Sequence, residues 1–318
     1  MEEYKIIFII ANWNRKALLS RCLDSIKTYI SVSHKIIIVD NASSDGSQAM
    51  VKAKYPHVFL IENSENLGYS RANNQGINFL KEKNIKFDYL IFINNDAFFK
   101  DSSMEKLVDY LDNNFNIKAA IPAVRGLGGK LQTGIGGYEL SLSNAFNYFF
   151  FLSVLFPAYF KGFFISQKYF YRKNLSAKLD WISGVCSVFR SEAMCKTDGF
   201  PENFFMYAED IALCRRIRAL GEVIYFPAAQ IYHINPGASF QSRPTLWLDS
   251  VFKYFRLISG KNRCRGKLLL LKLVFLMGFS MRMVNSFILS GLIKWKRPDN
   301  SRELLIYYRH IIKNLFSP

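Results

Sequence analysis

The stretch Lys35-Ile-Ile-Ile-Val-Asp40-Asn-Ala-Ser-Ser-Asp-Gly-Ser47 decides the fold. A short apolar run, Lys35–Val39, stops at a cluster of Asp, Asn, Ser and Gly. The run reads as a strand and the cluster as the turn that leaves it. Working outward, Lys5–Ile10 is a first strand, and Arg15–Tyr29 is a helix with Leu18, Leu19, Cys22, Ile26 and Tyr29 on one face. Val58–Ile61 and Tyr89–Ile93 are further strands, separated by a helix from about Ser70 to Lys83. A helix from about Ser103 and another apolar run, Ala119–Val124, complete the series. Strands alternating with helices mean βαβ units on a largely parallel sheet, whose ligands bind beyond the carboxyl ends of the strands.

The whole chain of 318 residues is half hydrophobic and 16% aromatic, which excludes disorder. Its net charge of +17 is concentrated: Arg243 to Pro318 carries fifteen basic and three acidic residues, or +12. Basic residues beside apolar runs point to an anionic membrane surface. They argue against nucleic acid, which calls for basic and aromatic residues interleaved on one platform. Leu140 to Phe160 has no charge but contains Asn144, Asn147 and Pro157, and reads as an interfacial or re-entrant segment. Leu268–Ile293 is interrupted by Lys272 and Arg282 and flanked by the basic clusters Lys261–Lys267 and Lys294–Arg297. It reads as one or two amphipathic helices in the headgroup region, the alternative being a helical hairpin packed on the catalytic domain. The five cysteines are odd in number and widely spaced, as expected of reduced cytoplasmic thiols. No secretory signal is evident at Met1-Glu-Glu-Tyr-Lys5.

Three constellations carry chemistry, the first made of the Asp40 turn and the Asn66–Asn74 run together. Asp40, with Asn41, Ser43 and Asp45 in its turn, can accept hydrogen bonds from a nucleobase edge. In Asn66-Leu-Gly-Tyr-Ser-Arg-Ala-Asn-Asn74, Gly68 admits a ligand close to the backbone. The helix start there faces an anion, and Arg71 adds a cation within reach of a phosphate. Asn94-Asn95-Asp96 ends the most hydrophobic strand; one carboxylate there suits Mg²⁺ or Mn²⁺ that also holds a diphosphate. The third constellation joins Trp181-Ile-Ser-Gly184 to Gly199–Tyr207, the pair Glu209-Asp210 at a helix start, and His233 beyond the strand Val223–Phe226. Neither a dinucleotide fingerprint nor a Walker motif is present.

In this order the motifs VDNASSDGS, NLGYSRANN, FINNDA, WISG, GFPENFFMYAEDIALCRR and FPAAQIYH resemble the family 2 glycosyltransferases. The resemblance is to the rhamnosyltransferase-like branch of bacterial surface-polysaccharide synthesis, and it spans roughly Lys5 to Ser239. It implies the GT-A fold, a Rossmann-like mixed sheet flanked by helices, and inverting transfer with a divalent cation. Asp40 then matches the base-binding Asp, and Asn12, Asn14, Asn41, Asn66, Gly68, Arg71, Asn74, Asn94 and Asn95 join the donor site. Asp96 matches the metal ligand in a D-x-D motif whose first Asp is Asn94. His233 matches a position that meets metal or diphosphate. Trp181, Gly184 and Tyr207 fall to the acceptor. Glu209-Asp210 matches the pair that supplies the base, with Asp210 the first choice and Glu209 the runner-up. Ala212 stands where the family commonly has a further Asp.

The expected organisation is a catalytic domain over residues 1–242 with an insertion at about 140–173, then a basic helical, membrane-surface extension over 243–318. The expected partners are dTDP-rhamnose or a UDP-hexose, a lipid-linked glycan acceptor, and the cytoplasmic face of the cell membrane, held peripherally. Rival expectations are a non-catalytic basic membrane protein and a nucleic-acid-binding protein.

Overall fold

The computed structural model describes residues 3–234, 245–260, 264–293 and 300–315. Lys261, Arg263, Lys294, Lys296 and Arg297 of the basic clusters, and the end of the family-like stretch at Ser239, lie outside the described residues. The chain divides into two compact units, Met1–Gly136 with Gln167–Pro236, and Gly137–Ser166 with Gly237–Pro318.

The first unit is built on a nine-stranded sheet. Its strands begin with β1 (Glu3–Asn12), β2 (His34–Asp40), β3 (Phe59–Glu62) and β4 (Lys86–Ile93). After β5 (Ala97–Phe98) and β6 (Ile117–Arg125) come two short strands, β7 (Gly136–Gly137) and β8 (Ala177–Leu179). β9 (Trp181–Ile182), β10 (Cys186–Arg190) and β11 (Glu222–His233) complete the series. The order in the nine-stranded sheet is β3-β2-β1-β4-β10-β6-β11-β5, with β8 on β11, and β7 and β9 form a separate two-stranded sheet. β3, β2, β1 and β4 are mutually parallel, whereas β10 runs antiparallel between β4 and β6. The sheet is therefore mixed, as the resemblance implied.

Ile6 through Ile10 are all completely buried, as are Leu90, Ile91 and Phe92 beside them, so the central strands are covered on both faces. Helices α1 (Lys16–Tyr29), α2 (Ser47–Lys54), α3 (Gly68–Glu82) and α4 (Ser103–Asp112) supply the covering layers of the first half. α2 was not foreseen; its eight residues follow directly on the Asp40 turn. The strand expected to stop at Phe226 instead continues through Pro227 to His233. A register shift between Phe226 and Gln230 takes up the proline, which has no N–H to give the ladder. Beyond it, Tyr232 and His233 pair antiparallel with Phe98 and Ala97.

The second unit draws on both sides of the sheet-bearing segments. The segment expected as an insertion in the catalytic domain contributes α5 (Leu142–Phe149) and α6 (Leu152–Leu155) to it. Residues 167–173 of that expected insertion, which include α7 (Gln167–Arg172), stay with the sheet, as do α8 (Ser191–Cys195) and α9 (Glu209–Ile217). The C-terminal part adds α10 (Leu246–Ser259), α11 (Cys264–Ile293) and α12 (Asn300–Lys313). The physical reason for this grouping is aromatic. Phe149 packs on Phe275 and Phe279 with ring centroids 4.5 and 5.1 Å apart, and Phe279 stacks on Tyr307 at 5.4 Å. Among the described residues no helix is long and apolar enough to cross a membrane.

Gly278 is where α11 meets α5, and a Cβ there would overlap Cβ and Cγ of Phe149. Helix propensity alone would make Gly278→Ala stabilising by about 0.5–1 kcal/mol. Overpacking typically costs about 1–3 kcal/mol and reverses the sign. We expect Gly278→Ala to lower the thermal midpoint by a few degrees in circular dichroism; a raised midpoint would mean that α5 simply moves aside.

Candidate active site

The carboxyl ends of β1, β2 and β4 carry most of the polar residues singled out in the sequence. Asn12 and Asp40 are in register across the β1–β2 pair. Asp40 has no solvent exposure. Its Oδ2 accepts from Asn12 Nδ2 at 2.8 Å and Ser43 Oγ at 2.7 Å, and its Oδ1 from Ser43 N and Gln48 Nε2, both at 2.8 Å. These four bonds use the acceptor capacity of the carboxylate. Asp40 thus organises the turn around it together with its neighbours. Asn14 is one of these: its N–H donates to Ser43 Oγ at 2.9 Å, and its Oδ1 accepts from Ser44 N at 2.7 Å.

A second set ties this turn to α3. Asn41 Nδ2 donates to the Gly68 carbonyl at 3.3 Å, and Asn66 Oδ1 accepts from Gly68 N at 3.0 Å, opening the helix. Gly68 has φ +81°, and a Cβ there would lie 2.7 Å from the Phe205 carbonyl oxygen. Arg71, half exposed, pairs with Glu202 at 3.5 Å. Asn74, expected at the donor, is used inside the protein. Its amide exchanges two 2.9 Å hydrogen bonds with the Phe200 backbone, and its Nδ2 also reaches Glu202 at 3.0 Å. Trp181 is likewise buried within β9, a framework position and not an exposed platform for an acceptor.

Asn94 and Asn95 form the turn between β4 and β5. The Asn94 N–H donates to the Val185 carbonyl at 3.0 Å, and Asn95 Nδ2 donates to Asn12 Oδ1 at 2.8 Å, linking this turn to the Asp40 cluster. The β5–β11 pairing brings His233 to Asp96, with Nε2 and Oδ1 3.0 Å apart and both side chains buried. Gln132 fixes the imidazole. Its Nε2 donates to the His233 carbonyl at 2.8 Å, which leaves Oε1 facing His233 Nδ1 at 2.9 Å. The proton therefore sits on Nδ1, and Nε2 turns its lone pair toward a carboxylate oxygen. At 3.0 Å a shared proton satisfies that arrangement, and an ion held by both atoms would lie to one side of the pair at bonds of about 2 Å. Among the described residues no group of three or more His, Cys, Asp and Glu gathers at one point.

The acidic pair lies at the first turn of α9. Tyr207 and Ala208 precede it at φ +69° and +65°, two successive left-handed residues without being glycine. Within the helix the two carboxylates diverge. Glu209 turns inward, is 5% exposed, and its Oε2 has no hydrogen-bond partner. Burial, and then the charge of Asp210, hold its carboxyl well above the ordinary range. Asp210 is partly exposed. Burial raises it to about 6, against hydrogen bonds from the backbone N–H groups of Ile211, its own residue and Gly184. Tyr69 Oη donates to the Gly184 carbonyl at 3.1 Å, and a Cβ on Gly184 would overlap that oxygen. Gly184 thus sits between Tyr69 and Asp210, where only a glycine fits.

The mixed sheet, with Asn-rich strand ends beside a carboxylate–imidazole pair and an acidic helix start, fits the GT-A class of sugar transferases. The model of the glycosyl transferase family 2 matches residues 7–175, and the chain belongs to that family. It is rhamnosyltransferase-like. A relative from Mycobacterium tuberculosis, N-acetylglucosaminyl-diphospho-decaprenol L-rhamnosyltransferase, is 26% identical over 68% of this chain and 71% of its own length. Rhamnosyltransferase WbbL of Escherichia coli K12 is 25% identical over 72% of this chain and 86% of its own. Among solved structures, a mannosyltransferase from Pyrobaculum calidifontis in complex with GDP-Man and Mn²⁺ shares the fold. Its TM-score is 0.60 at 14% identity, covering 99% of this chain and 88% of that one.

Tyr69, Gln48 and Gln132 were missed in the sequence. Tyr69 stands inside the quoted NLGYSRANN run, but Gln132 lies in a Gly-rich loop with no local pattern to single it out. The raised Asp210 has a direct check. Carboxyl-carbon NMR should show one Asp titrating near pH 6 that disappears in Asp210→Asn. Because its folded-state pKa lies above the unfolded value, this group's contribution to stability is full below about pH 4 and is lost as the pH rises to about 6. An Asp210 titrating below pH 4 would refute the environment described.

Proposed function

We propose that the protein is an inverting glycosyltransferase that moves rhamnose from dTDP-rhamnose to a lipid-linked glycan at the cytoplasmic face of the membrane, in surface-polysaccharide synthesis. The observation that carries the mechanism is the unequal pair at α9. Glu209 is inward with its carboxyl raised well above the ordinary range, whereas Asp210 is partly exposed and raised to about 6. A base must be ionised and open to the acceptor hydroxyl, and of the two Asp210 is the one suited to that role. With one base and no second nucleophilic carboxylate, the hydroxyl attacks the anomeric carbon as its proton passes to Asp210. The nucleoside diphosphate departs from the opposite face, so the configuration inverts.

The donor set is Asn12, Asn14, Asn41, Asn66, Gly68, Arg71, Asn94 and Asn95, held in place by Asp40. Backbone groups at the start of α3 and the Arg71 guanidinium oppose the diphosphate charge. Asp96 and His233 would hold a divalent cation as neighbouring ligands: they offer a carboxylate oxygen and an imidazole nitrogen 3.0 Å apart, with Gln132 holding the tautomer a ligand needs. Two protein donors suit Mg²⁺ or Mn²⁺ shared with a diphosphate and water. Such an ion would neutralise charge on the leaving group. Gly184 and Tyr207 border the base and fall on the acceptor side.

Support for rhamnose and for a polyprenyl-diphosphate-linked acceptor comes from the activity for which the mycobacterial relative is named. A panel of dTDP- and UDP-sugars, scored by thermal stabilisation and product formation, tests the donor. A UDP-hexose as the sole substrate would replace the rhamnose assignment.

Asp210→Asn should lower turnover by about 10²–10⁴-fold with donor affinity nearly unchanged. In the parent, turnover should fall as the pH drops through about 6. If Glu209→Gln were the dead variant and Asp210→Asn active, the roles would be reversed.

Calorimetry of dTDP with Mn²⁺ checks the cation. Asp96→Ala should abolish the metal-dependent part of binding, and Gln132→Leu should weaken it by about 10–100-fold through loss of the tautomer lock. Equal affinities in all three proteins would remove the cation from this site.

A further inference from the structure

Helix α11 has its polarity reversed. Its buried side, Leu268, Leu271, Phe275 and Phe279, packs within the second unit, where Phe275 meets Phe252, Trp247 and Phe149. A helix covered on one side normally shows charge on the other. Here the opposite side presents Leu270, Leu273, Met277, Met281 and Val284, between 37% and 56% exposed. Their spacing of three, four, four and three residues makes one continuous stripe along the helix.

The only two charges between Leu268 and Val284 point the other way. Lys272 is 4% exposed, and its Nζ donates to the Asn314 carbonyl at 2.7 Å, just past the end of α12. Arg282 donates from Nη2 to the Tyr148 carbonyl at 3.0 Å, in the last turn of α5, with its guanidinium 4.4 Å from the Tyr148 ring and 4.8 Å from that of Phe151. Each cation serves the free carbonyls at a helix C-terminus. The sequence had suggested that these charges interrupt an apolar helix. They are instead withdrawn from its outer face, which leaves that face without a charge from Leu268 to Val284.

We propose that this stripe is a docking surface for an anionic lipid bilayer, on which α11 lies without crossing. The inference rests on the membrane-side reading above and names the residues that make the contact. Charge selects lipid over a second copy of the chain. The segment from Arg243 to Pro318 carries +12, and Arg265 and Lys267 are exposed at the start of α11. Two such faces repel each other, whereas anionic headgroups are attracted. A second exposed apolar set in the same unit has the same character: Phe146, Leu155, Phe156, Tyr159 and Phe160, followed by Lys161. Aromatic rings of this kind settle at the headgroup level.

The test uses the full chain and sedimentation with vesicles of phosphatidylcholine, with or without phosphatidylglycerol. The parent should bind the anionic vesicles and be released by high salt together with alkaline carbonate. Leu273→Gln, Met277→Gln and Met281→Gln combined should weaken that binding at least tenfold. Its thermal midpoint and its transfer to a water-soluble acceptor should match the parent. If the triple variant is poorly folded, Arg265→Glu with Lys267→Glu takes its place with the same expectation. Parental vesicle binding in the folded variants would overturn the proposal, as would a parent that ignores anionic vesicles. A stripe-dependent dimer in light scattering, with no vesicle binding, would overturn it in favour of self-association. Loss of transfer to the soluble acceptor in the parent is the separate failure of the catalytic reading.

Discussion

A carboxylate sealed from solvent must find its hydrogen bonds in the protein, and at Asp40 it finds four. The donors come from the end of β1, from the turn after β2 and from the first turn of α2. One buried charge therefore fixes three segments at once. Asn12 passes the constraint on, since its amide nitrogen serves Asp40 and its oxygen accepts from Asn95. Removing Asp40 would strand these donors around an empty centre and loosen the Asn12 side chain that reaches Asn95. This end of the sheet is in this sense a single hydrogen-bonded object.

The two neighbouring carboxylates of α9 show how backbone shape assigns chemistry. Glu209 and Asp210 differ by one residue, yet the first turn of α9 directs one to the interior and leaves the other partly exposed. Burial raises the first well above the ordinary carboxylate range and brings the second to about 6. Adjacent acids on a helix are 100° apart, so sequence alone left the choice between them open.

The parallel half of the sheet was legible because its strands are uninterrupted apolar runs, each ending in Asn, Asp or Ser. The site motifs were legible for the same reason, since they occupy those strand ends. What escaped reading has physical causes. Pro227 is a strand-ending signal, but a bulge absorbs it and carries His233 onto β11 opposite Ala97. Trp181 and Asn74 are residue types that often meet ligands, and only packing reveals that both are committed to the framework. Lys272 and Arg282 count as interruptions on a hydropathy scale until their helix-end carbonyls are in view. The second unit is discontinuous in the chain, and no local pattern announces that residues 137–166 belong with the C-terminal helices.

That discontinuity has a consequence during synthesis. Every residue of the sheet-bearing unit has been made once Pro236 is joined, whereas Phe149 must wait for Phe275 and Phe279, roughly 125 residues later. At typical elongation rates the wait is on the order of ten seconds. Throughout it the Phe149-Phe150-Phe151 run hangs from the nascent chain without its partner helix. This is the interval in which a ribosome-associated chaperone has an apolar segment to hold, and in which a stalled or truncated chain is most prone to aggregate.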